Sequence, residues 1–141
     1  MLEEPFFHLF IIEHCCIIMC MNRHETRVKV VTAVYQHLLL NKDMVETFID
    51  NFENIDEYVG SIENDLIAHE DAYIETISNN LNKWTFDRLS YIDQAILLVG
   101  TSEYNLNKDN KKIIIDEAVR IAKEYSDDDS YKYINGVLDN L

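Results

Sequence analysis

The stretch IIIDEAVRIAKEYSDDDSYKYINGVLDNL, residues 113–141, indicates an all-helical fold. It contains two segments with helical periodicity on either side of a short acidic turn, residues 126–129. Apolar residues recur at steps of three and four in both segments, as they do on one face of a helix; they are Ile114, Ala118, Ile121 and Ala122 in the first and Tyr133, Ile134, Val137 and Leu138 in the second. The sequence therefore predicts two facing helices, the second capped by Ser130 or by a preceding aspartate.

A glycine interrupts the second of these predicted helices. Gly136 costs roughly 1 kcal/mol relative to alanine in a helix interior. A glycine at such a position indicates that another backbone or a ligand approaches closely. We therefore expect Gly136 to let the last helix approach its neighbour.

The composition is that of an acidic chain with few loop-forming residues. A length of 141 residues predicts one domain, or two small helical halves that share a core. The hydrophobic content of 48% argues against disorder, and only 3 Gly and 1 Pro favour long helices with polar junctions. The net charge of −14 opposes nucleic-acid binding in general, because neutralisation of phosphates supplies most of that affinity. Any RNA site must therefore be a local basic patch.

The most apolar part of the chain is the run FFHLFIIEHCCIIMC, residues 6–20. It is too short to span a bilayer comfortably, and Glu13 and His14 interrupt it, so we expect no membrane association. A signal peptide begins with positive charge, whereas Glu3 and Glu4 precede this run. We interpret residues 1–20 as an apolar extension. Either it lies upstream of a start at Met21, or it forms a helix that packs on the rest of the chain or on another copy.

Cysteine and histidine are concentrated in and beside this extension: His8, His14, Cys15, Cys16, Cys20 and His24. Their spacing matches no standard zinc motif, so we predict neither a metal site nor a cofactor. The 3 cysteines give no disulfide framework, and this favours a reducing cytoplasm.

A basic cluster begins the first regular segment, residues 21–40. Asn22 with Glu25 has capping-box spacing, and an apolar face is predicted at Val28, Val31, Tyr35 and Leu38. Four basic side chains lie in the first two turns: Arg23, His24, Arg27 and Lys29. Cations at a helix N-terminus are unfavourable by a few tenths of a kcal/mol, so this cluster suggests an anionic partner. The alternative is a solvated helix start.

Further helices follow in the middle of the chain. Asp43 is predicted to cap one of them, and separate helices are expected from Tyr58 towards His69 and from Tyr73 to Leu81. Trp84 is expected to anchor the junction between the two halves. Ser90 and Asp93 have capping-box spacing and are predicted to begin the next helix. The buried face of that helix is predicted at Ile92, Ile96 and Val99.

No motif of enzymatic chemistry is present in the sequence. There is no glycine-rich phosphate loop, no G-x-S-x-G and no H-E-x-x-H. The carboxylates fall on predicted caps and exposed faces, where none is expected to have the raised pKa that general acid catalysis needs. We therefore predict a binding module and not an enzyme.

Four strings of the chain resemble the NusB family of bacterial transcription antitermination factors. DEAVRIAKEY with DDDSYKYINGVLDNL is similar to the family's carboxyl-terminal I-N-E-A-V-E-L-A-K and S-x-K-F-V-N-G-V-L-D. The segment from Asn22 to Gln36 resembles its arginine-rich start, and WTFDRLSYIDQAIL resembles W-x-x-x-R-L-x-x-V-D-R-A-I-L. The likeness spans residues 21–141, although Gln94 and Leu98 stand where the family pattern has basic residues.

The resemblance implies an all-α fold of two small helical bundles that share a core, over residues 21–141. It also implies binding of boxA RNA together with NusE, a ribosomal protein. The complex would join RNA polymerase and other Nus factors and support processive transcription of ribosomal RNA operons in the cytoplasm. Whether the free protein is a monomer or a homodimer is left open.

The resemblance also assigns roles to particular residues. The basic start would contact RNA phosphates through Arg23, His24, Arg27 and Lys29. Tyr133 would stack on an unpaired base, which contributes roughly 1–3 kcal/mol per base; the alternative is a core aromatic. The NusE-facing surface would include Tyr35, Asp93 and Asp129, with helix capping as the alternative for both aspartates.

Two other functions are weighed against this one. The first is a NusB-like module that binds NusE but has little RNA affinity, which the net charge of −14 and the missing basic residues at 94 and 98 favour. The second is a domain attached to an RNA cytosine methyltransferase. It is disfavoured because the sequence ends at Leu141, without room for a cofactor-binding domain.

Overall fold

Six α-helices and two short 3-10 turns form residues 23–141, the part of the chain that the computed structural model describes. In chain order the helices are α1 (Arg23–Leu40), α2 (Met44–Asn51), α3 (Glu57–Asn79), α4 (Tyr91–Leu106), α5 (Lys111–Tyr125) and α6 (Ser130–Asp139). The 3-10 turns are Phe86–Arg88 and Lys108–Asn110. The all-α prediction is confirmed for these residues. The apolar run at 6–20 and the cap at Asn22 lie outside them, and what was expected there stays a prediction.

Helix α4 is the centre of the molecule. It contacts α1, α3, α5 and α6, and every residue from Asp93 to Glu103 is buried. A helix that is buried all round has no solvent face and belongs to the core. Helices α1–α3 pack with α4 into one bundle, and α5 and α6 pack with it into the other. The expected two small bundles therefore share α4 as their common element.

The last two helices bury seven of the eight residues that the periodicity selected, and the eighth, Tyr133, is half-buried. In α5 these are Ile114, Ala118, Ile121 and Ala122, and in α6 they are Ile134, Val137 and Leu138. Each large aliphatic side chain contributes roughly 1.5–3 kcal/mol when it is fully buried. The two helices also contact one another directly, as facing helices should.

The expectation for Gly136 is wrong. Gly136 lies on the exposed face of α6, and a Cβ added there would meet no atom within 4 Å. The close approach between helices occurs instead at Gly100 of α4, where a Cβ would lie 3.1 Å from both terminal methyl carbons of Leu138. The absent side chain at Gly100 is what lets α6 pack against the central helix.

Two further expectations need correction. Residues 57–79 form one continuous helix of 23 residues and not two, because no glycine or proline interrupts the pattern between His69 and Tyr73. Trp84 is 57% exposed and anchors nothing in the core. The junction before α4 is held by the buried Phe86 and Leu89, whose carbonyl oxygens both accept hydrogen bonds from Nε2 of Gln94 at 3.0 Å.

The buried face of α1 is wider than predicted. Val31 is buried as expected, whereas Val28, Tyr35 and Leu38 are only partly buried. Full burial falls on Val30, Val31, Ala33 and Val34. Helix α1 contacts both α2 and α4, so its apolar stripe faces two neighbours. None of the described helices is long and apolar enough to cross a membrane.

Candidate nucleic-acid interface

A cleft of about 610 Å³ lies where the start of α1 meets the start of α3 and the end of α4. Its walls include Arg23, Arg27, Tyr58, Glu103, Asn107 and Ile114. Two of the four predicted basic residues therefore line one cavity. The cavity is also lined by carboxylates, so its cations lie beside negative charges of the protein itself.

Arg27 forms a buried ion pair in the wall of this cleft. Its Nε donates to the two carboxylate oxygens of Glu103 at 3.0 and 3.1 Å, and the side chains of Arg27 and Glu103 are 12% and 8% exposed. The hydroxyl of Tyr58 donates to the same carboxylate at 2.6 Å. Burial is the largest single influence and lowers the pKa of Arg27, but the charge of Glu103, the hydrogen bond to it and the nearby Tyr58 and Glu117 together outweigh burial, so the pKa lies above its ordinary value. Arg27 thus joins α1 to α4.

Arg23 is exposed at the mouth of the cleft. Its guanidinium carbon lies 3.9 Å from the centre of the Tyr58 ring, within the range of a cation–π interaction. Burial is the main cause that raises the pKa of Tyr58, and the carboxylate of Glu103 raises it further, so this phenol stays neutral. Lys29 is exposed as well. Within residues 23–141 neither Arg23 nor Lys29 forms an ion pair, so both can meet an external anion.

His24 faces carboxylates of α5. Its Nδ1 lies 2.8 Å from Glu117 and its Nε2 lies 3.3 Å from Glu124. The four predicted basic residues therefore divide into two pairs. Arg23 and Lys29 point to solvent, whereas His24 and Arg27 are held by acidic groups of the protein itself.

Asp93 is 2% exposed and lies inside the protein, at the start of α4. Its carboxylate accepts hydrogen bonds from the hydroxyl groups of Ser126 at 2.6 Å, of Ser130 at 3.1 Å and of Tyr133. Its backbone N–H donates to the hydroxyl of Ser90 at 3.3 Å, which confirms the predicted cap of α4. Asp93 therefore fastens the α5–α6 turn to the central helix and does not itself reach the surface.

Tyr133 and Asp129 lie close together in sequence at the start of α6, and Tyr133 donates to this buried carboxylate. The Tyr133 ring is half-buried and packs against the core. Burial, followed by the bond to Asp93, raises the pKa of its hydroxyl above the ordinary value. Asp129 is exposed beside Lys132, with 3.3 Å between Oδ1 and Nζ. It occupies the N-cap position of α6 without a side-chain hydrogen bond, so the capping alternative is wrong for Asp129.

The third residue expected on a protein-facing surface is Tyr35, which is partly buried on α1. Sequence reasoning missed Tyr58 and Glu103, which organise the arginines, and Ser126, which pins the turn. One feature could have identified Glu103: it is one of only two charged residues, with Asp93, on the largely buried α4. No group of three or more His, Cys, Asp or Glu side chains within residues 23–141 could hold a metal ion, and of the candidate zinc ligands only His24 falls in that range.

Comparison with known sequences identifies relatives that match nearly all of the described residues. The NusB family matches residues 24–141. The transcription antitermination protein NusB of Staphylococcus carnosus (strain TM300) is 35% identical over 127 residues, which cover 86% of this chain and 99% of that protein. The protein of the same name from Staphylococcus aureus (strain MRSA252) is also 35% identical over 127 residues, covering 86% of this chain and 98% of that one.

Solved structures agree with the fold. The NusB structure from T. maritima superimposes with a TM-score of 0.73 at 28% identity, covering 84% of this chain and 88% of that one. A crystal structure of antitermination factors NusB and NusE in complex with dsRNA gives a TM-score of 0.74 at 25% identity, covering 84% of this chain and 93% of that one. Sequence and fold agree over most of the chain, and this chain belongs to the NusB family.

Proposed function

We propose that this protein is a transcription antitermination factor that binds boxA RNA together with NusE and supports processive transcription of ribosomal RNA operons. The observation that carries the proposal is the exposed Arg23, which lies over the Tyr58 ring at the mouth of a cleft. It provides a local positive charge on a chain whose net charge is −14. A relative with the same fold has been crystallised with NusE and dsRNA.

The proposed RNA contacts are of two kinds. Arg23 and Lys29 are exposed and reach phosphates directly. His24 and Arg27 belong to the same basic cluster, but their side chains are held by Glu117 and Glu103, so their contribution to RNA binding is indirect. Electrostatic contacts of this kind position a nucleic acid without reading its sequence.

In this proposal the half-buried ring of Tyr133 stacks on an unpaired base of the RNA. Recognition of a single-stranded element by stacking together with a few cations suits a short linear RNA.

The proposed NusE contacts are Tyr35 on α1 and the acidic turn at residues 126–129. Asp129 is exposed and Tyr35 is partly exposed. Asp93 is buried and affects this surface through its hydrogen bonds to the turn. An acidic surface suits a basic ribosomal protein, because complementary potentials speed encounter and exclude wrong partners.

The wider setting follows from the same proposal. The complex would join RNA polymerase and other Nus factors in the cytoplasm, and the protein would act by binding, without catalysis, cofactor or metal. Residues 21–141 would carry the activity, and residues 1–20 would be an extension. Sedimentation of the free protein distinguishes a monomer from a homodimer.

A second function is favoured by the internal ion pairs. His24 and Arg27 already contact carboxylates, and the net charge is −14. A protein of this kind could bind NusE while having little affinity for RNA.

Titration of labelled boxA RNA, with a scrambled RNA of equal length as control, tests both functions. The chain is titrated at one fixed salt concentration with and without saturating NusE. The proposal expects NusE to tighten binding of boxA RNA at least about tenfold and binding of the scrambled RNA much less. NusE binding without discrimination between the two RNAs would support the second function instead.

A further inference from the structure

One buried carboxylate connects the proposed RNA surface to the proposed partner surface. Asp93 accepts hydrogen bonds from Ser126, the first residue of the acidic turn, from Ser130, which directly follows the turn, and from Tyr133, which lies one helical turn further along α6. All three donors are hydroxyl groups. A phenylalanine at position 133 could not make the third bond, so the connection depends on the tyrosine hydroxyl.

The three bonds remove the freedom of the two surfaces to move independently. The exposed Asp129 lies in the segment between Ser126 and Ser130, so the turn that carries it is pinned at both ends. The Tyr133 ring is pinned at its hydroxyl to the same group. Asp93 itself is fixed at the start of α4, where the helix dipole favours its negative charge. A shift of the turn therefore changes the hydrogen bonds made by the carboxylate that also orients the ring.

We propose that Asp93 is a positioning residue that couples NusE binding to RNA binding, by holding the turn of Asp129 and the ring of Tyr133 on one carboxylate. This inference rests on the proposed function. Binding of NusE at the turn restricts the carboxylate and with it the orientation of the Tyr133 ring, so that RNA meets a stacking platform that is already in place. The coupling is reciprocal, so bound RNA tightens NusE binding by the same factor.

The chain offers a matched control for this connection. Asp65 on α3 is a second buried carboxylate, 8% exposed, and it accepts hydrogen bonds from the Tyr73 hydroxyl at 2.6 Å and from Ser102 at 2.8 Å. Tyr73 belongs to neither proposed surface. Tyr73→Phe and Tyr133→Phe remove the same atom from the same kind of bond, and only the second touches the proposed coupling.

The measured quantity is the ratio of the Kd for boxA RNA without NusE to the Kd with saturating NusE, using the full chain. Tyr133→Phe keeps the aromatic ring and is expected to lower this ratio about fivefold or more, within the usual range of coupling between two sites. Tyr73→Phe is expected to leave the ratio unchanged. Asp93→Asn should also lower it, and adding Tyr133→Phe to Asp93→Asn should have little further effect, because both changes break one connection. Thermal unfolding of each variant verifies that it is folded.

The possible results separate the inference from the function on which it rests. If NusE does not tighten RNA binding by the unsubstituted protein, the proposed function and the coupling both fail. If NusE tightens binding and Tyr133→Phe keeps the full ratio, the coupling alone is wrong. An equal loss in Tyr73→Phe would also overturn it, because a general loss of stability would then explain the effect. An additive loss in the double variant would mean that Asp93 and Tyr133 act separately.

Discussion

The Nε atom of Arg27 lies 3.0 and 3.1 Å from the two carboxylate oxygens of Glu103, so a cation at the basic start of the chain is paired with the central helix. Tyr58 adds a third helix to this contact by donating to the same carboxylate. The pair therefore joins α1, α3 and α4 at one point. Arg27 has a structural role whether or not it also meets RNA.

Removal of Glu103 should destabilise the fold. Glu103→Ala leaves the Arg27 guanidinium without its partner in a site where its side chain is only 12% exposed. Breaking a buried pair in this way costs roughly 3–5 kcal/mol. Urea unfolding followed by circular dichroism measures the loss. The exposed pair of Lys42 and Asp50 is the control, and Asp50→Ala should leave the unfolding midpoint nearly unchanged. Equal midpoints for the two variants would contradict a structural role for Glu103.

Arg23 should act on RNA affinity, with only a small effect on stability from the lost contact with Tyr58. Arg23→Gln removes an exposed charge that forms no ion pair among residues 23–141. Binding of boxA and of unrelated RNA should weaken together, and the slope of log K against log salt should become shallower by roughly 0.7, as for one lost phosphate contact on a single strand. Lys112→Gln, an exposed position on α5, should leave the slope unchanged. A change in base preference with no change in slope would contradict a phosphate contact.

The fold was predictable because its determinants are local. The apolar periodicity of α5 and α6 selected residues that are buried, and the Ser90 cap marked the start of α4. Gly136 was misread because helical periodicity does not tell which glycine faces a neighbour; that depends on how α4 and α6 cross, and the contact falls at Gly100. Trp84 was misread because its size suggested burial, whereas the chain buries Phe86 there.

The candidate site was predictable in its residues and not in their surroundings. Its basic start and the aromatic residue at 133 are visible in the sequence. The carboxylates that face Arg27 and His24 are Glu103 and Glu117, which lie 76 and 93 residues further along the chain. Pairings over such distances depend on tertiary packing, so no local pattern could show that these two cations are held internally.

The two glycines of α4 and α6 should respond to alanine in opposite ways. Gly100→Ala places a Cβ 3.1 Å from both terminal methyl carbons of the buried Leu138, so that side chain must shift within the core, and this overpacking should cost roughly 1–3 kcal/mol. Gly136→Ala meets no atom within 4 Å and should stabilise the protein by roughly 0.5–1 kcal/mol, because alanine loses less backbone entropy in a helix. Urea midpoints of both variants check this. Destabilisation by Gly136→Ala would instead support the original expectation that a neighbouring group approaches Gly136 closely.

His37 should make stability depend on pH near neutrality. Its Nε2 lies 2.9 Å from Glu70 on α3, and its Nδ1 faces the carbonyl oxygen of Lys42. The hydrogen bond to Glu70 is the largest cause that raises the pKa of His37; burial lowers it by less, and the Lys42 carbonyl and nearby Asp43 raise it further. The folded state therefore holds the proton more tightly than the unfolded state.

The sign of the effect follows from that difference in pKa. The stabilisation is complete below the pKa of an unfolded histidine, about 6.5, and is lost as the pH rises through the raised pKa of the folded state. His37→Gln should reduce the fall in unfolding midpoint between about pH 6 and about pH 8, because glutamine does not titrate there. Glu70→Gln, which removes the partner carboxylate and keeps the histidine, should reduce the pH dependence in the same way. An unchanged pH dependence in His37→Gln would show that the link between α1 and α3 does not require the protonated ring.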